Sequence, residues 1–143
     1  MKASFVRDWM TTNPIAIGLK TTLPEAHKLM TEHHIRRLPV VDEGKVVGIL
    51  TLGDVREASP SGATSLSIFE LNYLLAKLTV DKLMTREPVT IAATATISEA
   101  ARLMLTNKIA GLPVVEEGKL VGIITESDIF RVLVQSPEFD QIS

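Results

Sequence analysis

The chain has 143 residues and no cysteine. That single absence excludes disulfides, thiolate zinc sites and thiol catalysis. No apolar run approaches the roughly 18 residues that a membrane-spanning helix needs, so no transmembrane segment is expected. The opening Met-Lys-Ala-Ser-Phe-Val-Arg-Asp-Trp-Met carries charge where a secretory signal requires an unbroken apolar centre, so export is not expected either. Together with the missing thiols this points to a cytoplasmic protein. An excess of positive charge is lacking as well. With 15 Lys+Arg against 17 Asp+Glu and a pI near 5.9, a broad nucleic-acid footprint is disfavoured, and only a local basic patch stays open. What is present is 45% hydrophobic and 22% charged residues at a mean hydropathy of +0.23, the balance of an apolar but soluble globular protein. A chain of this length buries roughly two-thirds of its unfolded surface, enough for a core without staples.

The dominant feature is a repeat. Leu38-Pro39-Val40-Val41-Asp42-Glu43-Gly44-Lys45-Val46-Val47-Gly48-Ile49-Leu50-Thr51-Leu52-Gly53-Asp54 returns as Leu112-Pro113-Val114-Val115-Glu116-Glu117-Gly118-Lys119-Leu120-Val121-Gly122-Ile123-Ile124-Thr125-Glu126-Ser127-Asp128. One constant offset of 74 residues also aligns Met10 with Met84, Pro14 with Pro88, Glu25 with Glu99 and Leu29-Met30 with Leu103-Met104, without a gap. The chain therefore divides into a first copy over 6–58, a connector over 59–79 and a second copy over 80–133. Two copies suggest a pseudo-twofold pair and not a solenoid.

Each copy opens on a short amphipathic lead ending in Met-Thr, after which Pro14 or Pro88 breaks any helix. Ile15-Ala16-Ile17 and Val89-Thr90-Ile91 then read as extended. Thr22-x-x-Glu25 and Thr96-x-x-Glu99 match the capping box of a helix start. The helix that follows buries Leu23, Ala26, Leu29 and Met30, or Ile97, Ala100, Ala101, Leu103 and Met104, at three- and four-residue spacing. Two apolar runs around an acidic, glycine-containing turn predict a hairpin of buried strands. A last helix starts at the Thr-x-x-Asp; Val55, or Ile129, Phe130 and Leu133, are expected on its buried face, and Pro60 stops the first of these helices soon after Ala58. The order is strand, helix, strand, strand, helix, an α/β (α+β) unit.

The connector begins with a loop, Ser59-Pro60-Ser61-Gly62-Ala63-Thr64. Ser67-Ile68-Phe69-Glu70 then opens a helix to about Leu78, apolar at Ile68, Leu71, Leu74, Leu75 and Leu78. This stripe reads first as packing on its own core and second as part of a subunit interface. Beyond Gln135 the polar tail reads as frayed.

The polar element that recurs is Gly48-Ile49-Leu50-Thr51-Leu52-Gly53-Asp54 and Gly122-Ile123-Ile124-Thr125-Glu126-Ser127-Asp128. A hydroxyl at a strand end and a carboxylate in the next helical turn lie side by side, near unpaired helix amides. The carboxylate can accept from a vicinal diol such as ribose, and hydroxyl and amides can take phosphate oxygens. A plain N-cap explains one such element for local reasons. Its return in register favours ligand binding.

These motifs, in this order and twice, resemble the CBS-domain pair, the Bateman module named after cystathionine β-synthase. The resemblance covers nearly the whole chain. It implies two pseudo-twofold-related βαββα CBS units packed through their sheets, two symmetry-related clefts and, commonly, a disc-like homodimer. It also implies a regulatory, energy-sensing role through AMP, ADP, ATP or S-adenosylmethionine as effector, with no required cofactor. Carried over residue by residue, each cleft takes its ribose-binding Thr and Asp from one copy and its adenine wall from the other. One set is Thr125 and Asp128 with Asn13, Ile15, Gly18, Ile35, Arg36, Arg37 and Pro39. The other is Thr51 and Asp54 with Glu87, Val89, Ala92, Ile109, Ala110, Gly111 and Pro113. The walls differ, since Ile35-Arg36-Arg37 is bulky and cationic where Ile109-Ala110-Gly111 is small. Small residues leave room for a flat base, whereas Arg36 and Arg37 either neutralise phosphate or sit on the surface. Arg131 is a further phosphate candidate and Arg56 a weaker one.

Other groupings carry less. His33 and His34 are adjacent, so their side chains diverge on a helix and suit a helix C-terminus better than a metal, and His27 reads as a surface residue. Asp54 and Asp128 have no activated nucleophile beside them, and no enzymatic activity is expected. Met10, Met84, Met30 and Met104 read as core first and base-stacking second. The reading is a stand-alone regulatory module that binds an adenosine-containing small molecule and passes the signal to a partner protein. A scaffold or oligomerisation protein with unused clefts is the alternative. Nucleic acid and membrane are not expected as partners.

Overall fold

A computed structural model of the protein describes residues 4–59 and 68–136. The loop after Ser59, the Ser67 cap, Pro60 and the tail beyond Ser136 lie outside the described residues. The elements are α1 (Val6–Trp9), β1 (Thr11–Thr12), α2 (Leu23–His33), β2 (Arg37–Asp42), β3 (Lys45–Thr51), α3 (Leu52–Ala58), α4 (Ile68–Lys77), a 3-10 turn (Val80–Lys82), β4 (Thr85–Arg86), β5 (Ile91–Ala92), α5 (Ile97–Asn107), β6 (Gly111–Glu116), β7 (Lys119–Thr125) and α6 (Glu126–Gln135). The fold is mixed α/β, with the hairpins and helices where the repeat predicts them.

The compact units cut the chain differently from the repeat. One unit is continuous, Ile15–Pro88; the other is composite, joining the residues up to Pro14 with those from Val89 on. The lead of each copy has thus been exchanged. In the composite unit Val6 N–H donates to Ala95 O (2.8 Å) and Arg7 N–H to Ala93 O (3.0 Å), and β1 pairs with β7 through Thr11–Ile123 and Thr12–Gly122. In the continuous unit Val80 N–H donates to Thr21 O (2.8 Å) and Asp81 N–H to Leu19 O (3.2 Å), and β4 pairs with β3 through Thr85–Ile49 and Arg86–Gly48. The same backbone groups are used in each unit at the repeat offset.

In the continuous unit β2 and β3 form the hairpin, joined by Glu43 and Gly44, both at positive φ (52° and 81°). That pairing of signs suits a two-residue turn, whose handedness matches the strand twist. The β6–β7 hairpin of the composite unit repeats it with Glu117 and Gly118. Each hairpin slips register at the same place, Val40/Val41 and Val114/Val115. Leu38, Val40 and Leu50, or Leu112, Val114 and Ile124, are fully buried and seed the core of their unit. Each such side chain contributes about 1.5–3 kcal/mol by leaving water, so the hairpins carry much of the folding free energy.

Helices α2 and α5 cover these cores with Leu23, Ala26 and Met30, or Ala100 and Met104. Thr22 and Glu25 close a full capping box: Glu25 N–H donates to Thr22 Oγ1 (3.4 Å) and Thr22 N–H to Glu25 Oε2 (3.1 Å). On α5 the hydroxyl half recurs, Glu99 N–H to Thr96 Oγ1 at 3.1 Å. Thr22→Ala and Thr96→Ala are each expected to lower stability by about 1 kcal/mol, read from urea midpoints. Leu75 and Leu78 of the connector pack against the core of the continuous unit, while Tyr73 and Leu74 are exposed, so α4 has features of both readings offered for it.

The face of α6 is a correction. The apolar pattern places Phe130 and Leu133 inside, yet they are 58% and 42% exposed, and Val132 is buried instead. Asp128 and Val132 are one helical turn apart, so fixing Asp128 inward puts Val132 inward and turns Phe130, Leu133 and Val134 outward.

The 3-10 turn is tied to the loop before α2 by Lys20 Nζ and Asp81 Oδ2, 3.0 Å apart. A hydrogen bond from the Thr79 hydroxyl, and then the Lys20 ammonium, hold the Asp81 carboxyl below the usual carboxylate range. A depressed carboxyl stabilises the fold above its ordinary value of 3.8, and that contribution is lost as pH falls through the depressed value. Asp81→Asn is expected to flatten this part of the acid-unfolding profile.

Candidate functional site

Each Thr-x-x-Asp sits at a strand-to-helix junction. Thr51 ends β3 and is the N-cap of α3; Thr125 ends β7 and is the N-cap of α6. Asp54 Oδ2 accepts the Thr51 N–H at 2.9 Å, and Thr51 Oγ1 accepts the Asp54 N–H at 3.1 Å. In the other unit Asp128 Oδ2 accepts both the Thr125 N–H (2.9 Å) and its hydroxyl (3.3 Å). Asp128 Oδ1 accepts from Arg131 Nη1 at 2.7 Å, and Asp128 is only 4% exposed. The boxes share the Thr-x-x-Asp pattern but differ in wiring.

Backbone pairing sets a wall beside each box. In the continuous unit Arg37 is the register partner of Thr51, and Leu52 N–H donates to Arg36 O at 2.7 Å. In the composite unit Gly111 faces Thr125, and Glu126 N–H donates to Ala110 O at 3.0 Å. Within a unit, therefore, the start of each box adjoins the wall of its own repeat: Arg36 and Arg37 beside Thr51 and Leu52, and Ala110 and Gly111 beside Thr125 and Glu126. Arg36 is exposed, and Arg37 is partly buried and engaged with a partner. Pro39 and Pro113 are fully buried in the strands, so their side chains belong to the core.

The remaining candidates fall on the segments around the prolines. Asn13 and Glu87 are exposed and hold positive φ (48° and 49°), repeat-equivalent bends that turn the chain out of β1 and β4. Ile15, Gly18 and Val89 are partly buried and Ala92 is exposed. Arg56 is exposed on α3. His33 is the last residue of α2 and His34 its left-handed cap. Among the described residues no cluster of three or more His, Cys, Asp or Glu could hold a metal ion, and no helix is long and apolar enough to cross a membrane. Met30, Met84 and Met104 are buried, and the Met10 and Met84 sulfurs press on Gly122 and Gly48. The Asp128–Arg131 pair is absent from the sequence reading, although i,i+3 spacing on a helix signals it.

Two hairpin-centred units, each with a Thr–Asp box at its strand-to-helix junction, define a tandem α/β repeat. The CBS domain model matches residues 6–61 and 80–135, and the chain belongs to the CBS-domain family as a tandem pair. It is 36% identical over 132 residues to a CBS domain-containing protein of Dictyostelium discoideum, covering 91% of each chain. It spans less than half the length of several other curated relatives that it matches. Among solved structures, it is similar to the CBS domain pair of protein MJ0100 in complex with 5′-methylthioadenosine and S-adenosyl-L-methionine, with a TM-score of 0.77 and 31% identity over 93% of this chain and 98% of that one. It is also similar to CBSX2 in complex with AMP, with a TM-score of 0.76 and 32% identity over 92% of this chain and 97% of that one.

Proposed function

We propose that this CBS pair is a regulatory module that binds an adenosine-containing ligand, AMP, ADP, ATP or S-adenosylmethionine, and transmits its presence to a partner protein. The observation that carries the reading is the duplicated box: a Thr–Asp pair at a strand-to-helix junction in both units, in a fold shared with pairs solved with AMP and with S-adenosyl-L-methionine. The chemistry agrees. A carboxylate accepts from both hydroxyls of a ribose, and a guanidinium takes phosphate. The ribose rests on Thr51 and Asp54 in one residue set and on Thr125 and Asp128 in the other. The chain acts in the cytoplasm, without catalysis of its own. Ligand shifts a conformational population only by as much as its affinity differs between the states, and the partner reads that shift.

Self-association has its own support. Phe130, Leu133 and Val134 (83% exposed) form an outward apolar strip on α6, and Tyr73 and Leu74 are exposed on α4. We assign these faces to a homodimer. They also favour the alternative, a scaffold that needs no ligand.

A thermal-shift panel of AMP, ADP, ATP, S-adenosylmethionine and NAD on wild type, Asp54→Ala and Asp128→Ala separates the two. Binding to the native state raises the midpoint. A shift with an adenosine ligand that one variant abolishes supports the sensor. Self-association indifferent to every ligand supports the scaffold.

A further inference from the structure

The two boxes differ in the charge that stands three residues beyond the carboxylate. Arg131 follows Asp128, and at the repeat-equivalent position Glu57 follows Asp54. The consequence is visible in the carboxylate itself. Asp128 has both oxygens engaged, Oδ2 by the Thr125 amide and hydroxyl and Oδ1 by Arg131 at 2.7 Å, and its side chain is only 6% exposed. A ribose diol arriving there finds its acceptor already occupied by an internal cation. The Arg131 side chain, however, is 53% exposed, so water and salt reach the pair from the arginine side and weaken it.

We propose that Arg131 is an exchangeable counter-ion that makes the Asp128 set selective for adenosine ligands bearing a 5′-phosphate. The proposal rests on the adenosine reading above and adds the ligand class. In a ribose 5′-phosphate the anion sits one sugar ring away from the diol. Arg131 can leave Asp128 for that phosphate, exchanging one carboxylate for an oxyanion that accepts its planar fork bidentately, and Oδ1 becomes free to accept from the diol. A ligand with the same base and ribose but an uncharged 5′ group offers the guanidinium no replacement, so the diol must compete with Arg131 for Asp128. The Asp54 box holds no such cation at its matching position, and its selectivity follows other groups. Arg131 is thus a specificity residue, and an ordinary i,i+3 helix pair would predict no dependence on the 5′ group.

The matched probes are AMP and 5′-methylthioadenosine, identical in base and ribose. Calorimetric titration uses the full chain as wild type, Asp54→Ala, Asp54→Ala/Arg131→Gln and Asp54→Ala/Arg131→Lys, the Asp54→Ala background leaving the Asp128 set to be read alone. Asp54→Ala should bind AMP about tenfold or more tighter than 5′-methylthioadenosine. Adding Arg131→Gln should weaken AMP by about tenfold while 5′-methylthioadenosine holds or tightens, and Arg131→Lys should keep part of the preference. An equal loss for both ligands, or an unchanged preference, overturns the proposal. If wild type binds but Asp54→Ala binds neither ligand, the proposal fails and the adenosine reading survives at Asp54. If wild type itself binds neither, the adenosine reading falls with it.

Discussion

Gly122→Val is expected to lower the unfolding free energy by about 3 kcal/mol or more, the upper end for overpacking a closed site. A Cβ built on Gly122 would meet Met10 Sδ at 2.5 Å, Met10 Cγ at 3.0 Å and the Thr11 carbonyl oxygen at 2.9 Å. The sulfur is the tip of a flexible side chain and can move. The carbonyl cannot, because β1 is fixed against β7 by the pairs Thr11–Ile123 and Thr12–Gly122. Relief therefore requires the exchanged lead to lift off its strand. Gly48→Val should cost less. Its Cβ would likewise run into Met84 Sδ, but the nearest backbone oxygen, of Thr85, stands at 3.1 Å. Urea unfolding of both variants checks the order. Adding Met10→Ala to Gly122→Val should recover only part of the loss, since the Thr11 oxygen remains. Full recovery would show that the side chain alone fills the gap, and an unperturbed Gly122→Val would remove the close approach altogether.

That close approach explains a residue that hydrophobic patterning leaves unexplained. A glycine inside a buried strand weakens it unless another backbone comes near, and Gly48 and Gly122 mark where β4 and β1 dock. The sequence displayed the glycines and the methionines at matched offsets, but not which methionine meets which glycine. A repeat is symmetric under exchange. Val6 packing with its own copy and Val6 packing with the other copy use equivalent groups, because Thr21 and Ala95, or Leu19 and Ala93, are the same positions 74 residues apart. Local pattern fixes the elements, and only three-dimensional closure selects the swap.

The same limit applies on α6. After Asp128 the residues Ile129, Phe130, Val132, Leu133 and Val134 are apolar on nearly every side, so periodicity could not choose the buried face. The polar anchor chose it. With Asp128 held by the Thr125 amide and Arg131, Val132 is carried inward and Phe130 outward. By contrast the capped starts of α2 and α5 and both hairpins were legible, because there the signal is local: a Thr-x-x-Glu, or a Glu-Gly turn between apolar runs.

Asp54→Ala and Asp128→Ala should each cost about 1–3 kcal/mol in ribose contacts, a loss of about 5- to 150-fold in affinity at the set concerned. Their structural costs differ. Truncating Asp54 strips the Thr51 amide of its acceptor at a box without an arginine three residues on, a loss of roughly one cap, about 1 kcal/mol. Truncating Asp128 removes the acceptor of the Thr125 amide and hydroxyl and releases Arg131, so its unfolding midpoint should fall further. The substitutions Asp54→Asn and Asp128→Asn separate the two effects. Each keeps one side-chain oxygen for the Thr amide, preserving the cap, while the NH2 group that replaces the second carboxylate oxygen cannot accept from the diol. Affinity lost in Asp128→Asn with the midpoint largely retained therefore isolates ligand binding from capping. Wild-type affinity in all four variants would instead return both boxes to the role of N-caps, because a cap needs the oxygen that faces the amide and has no use for the other.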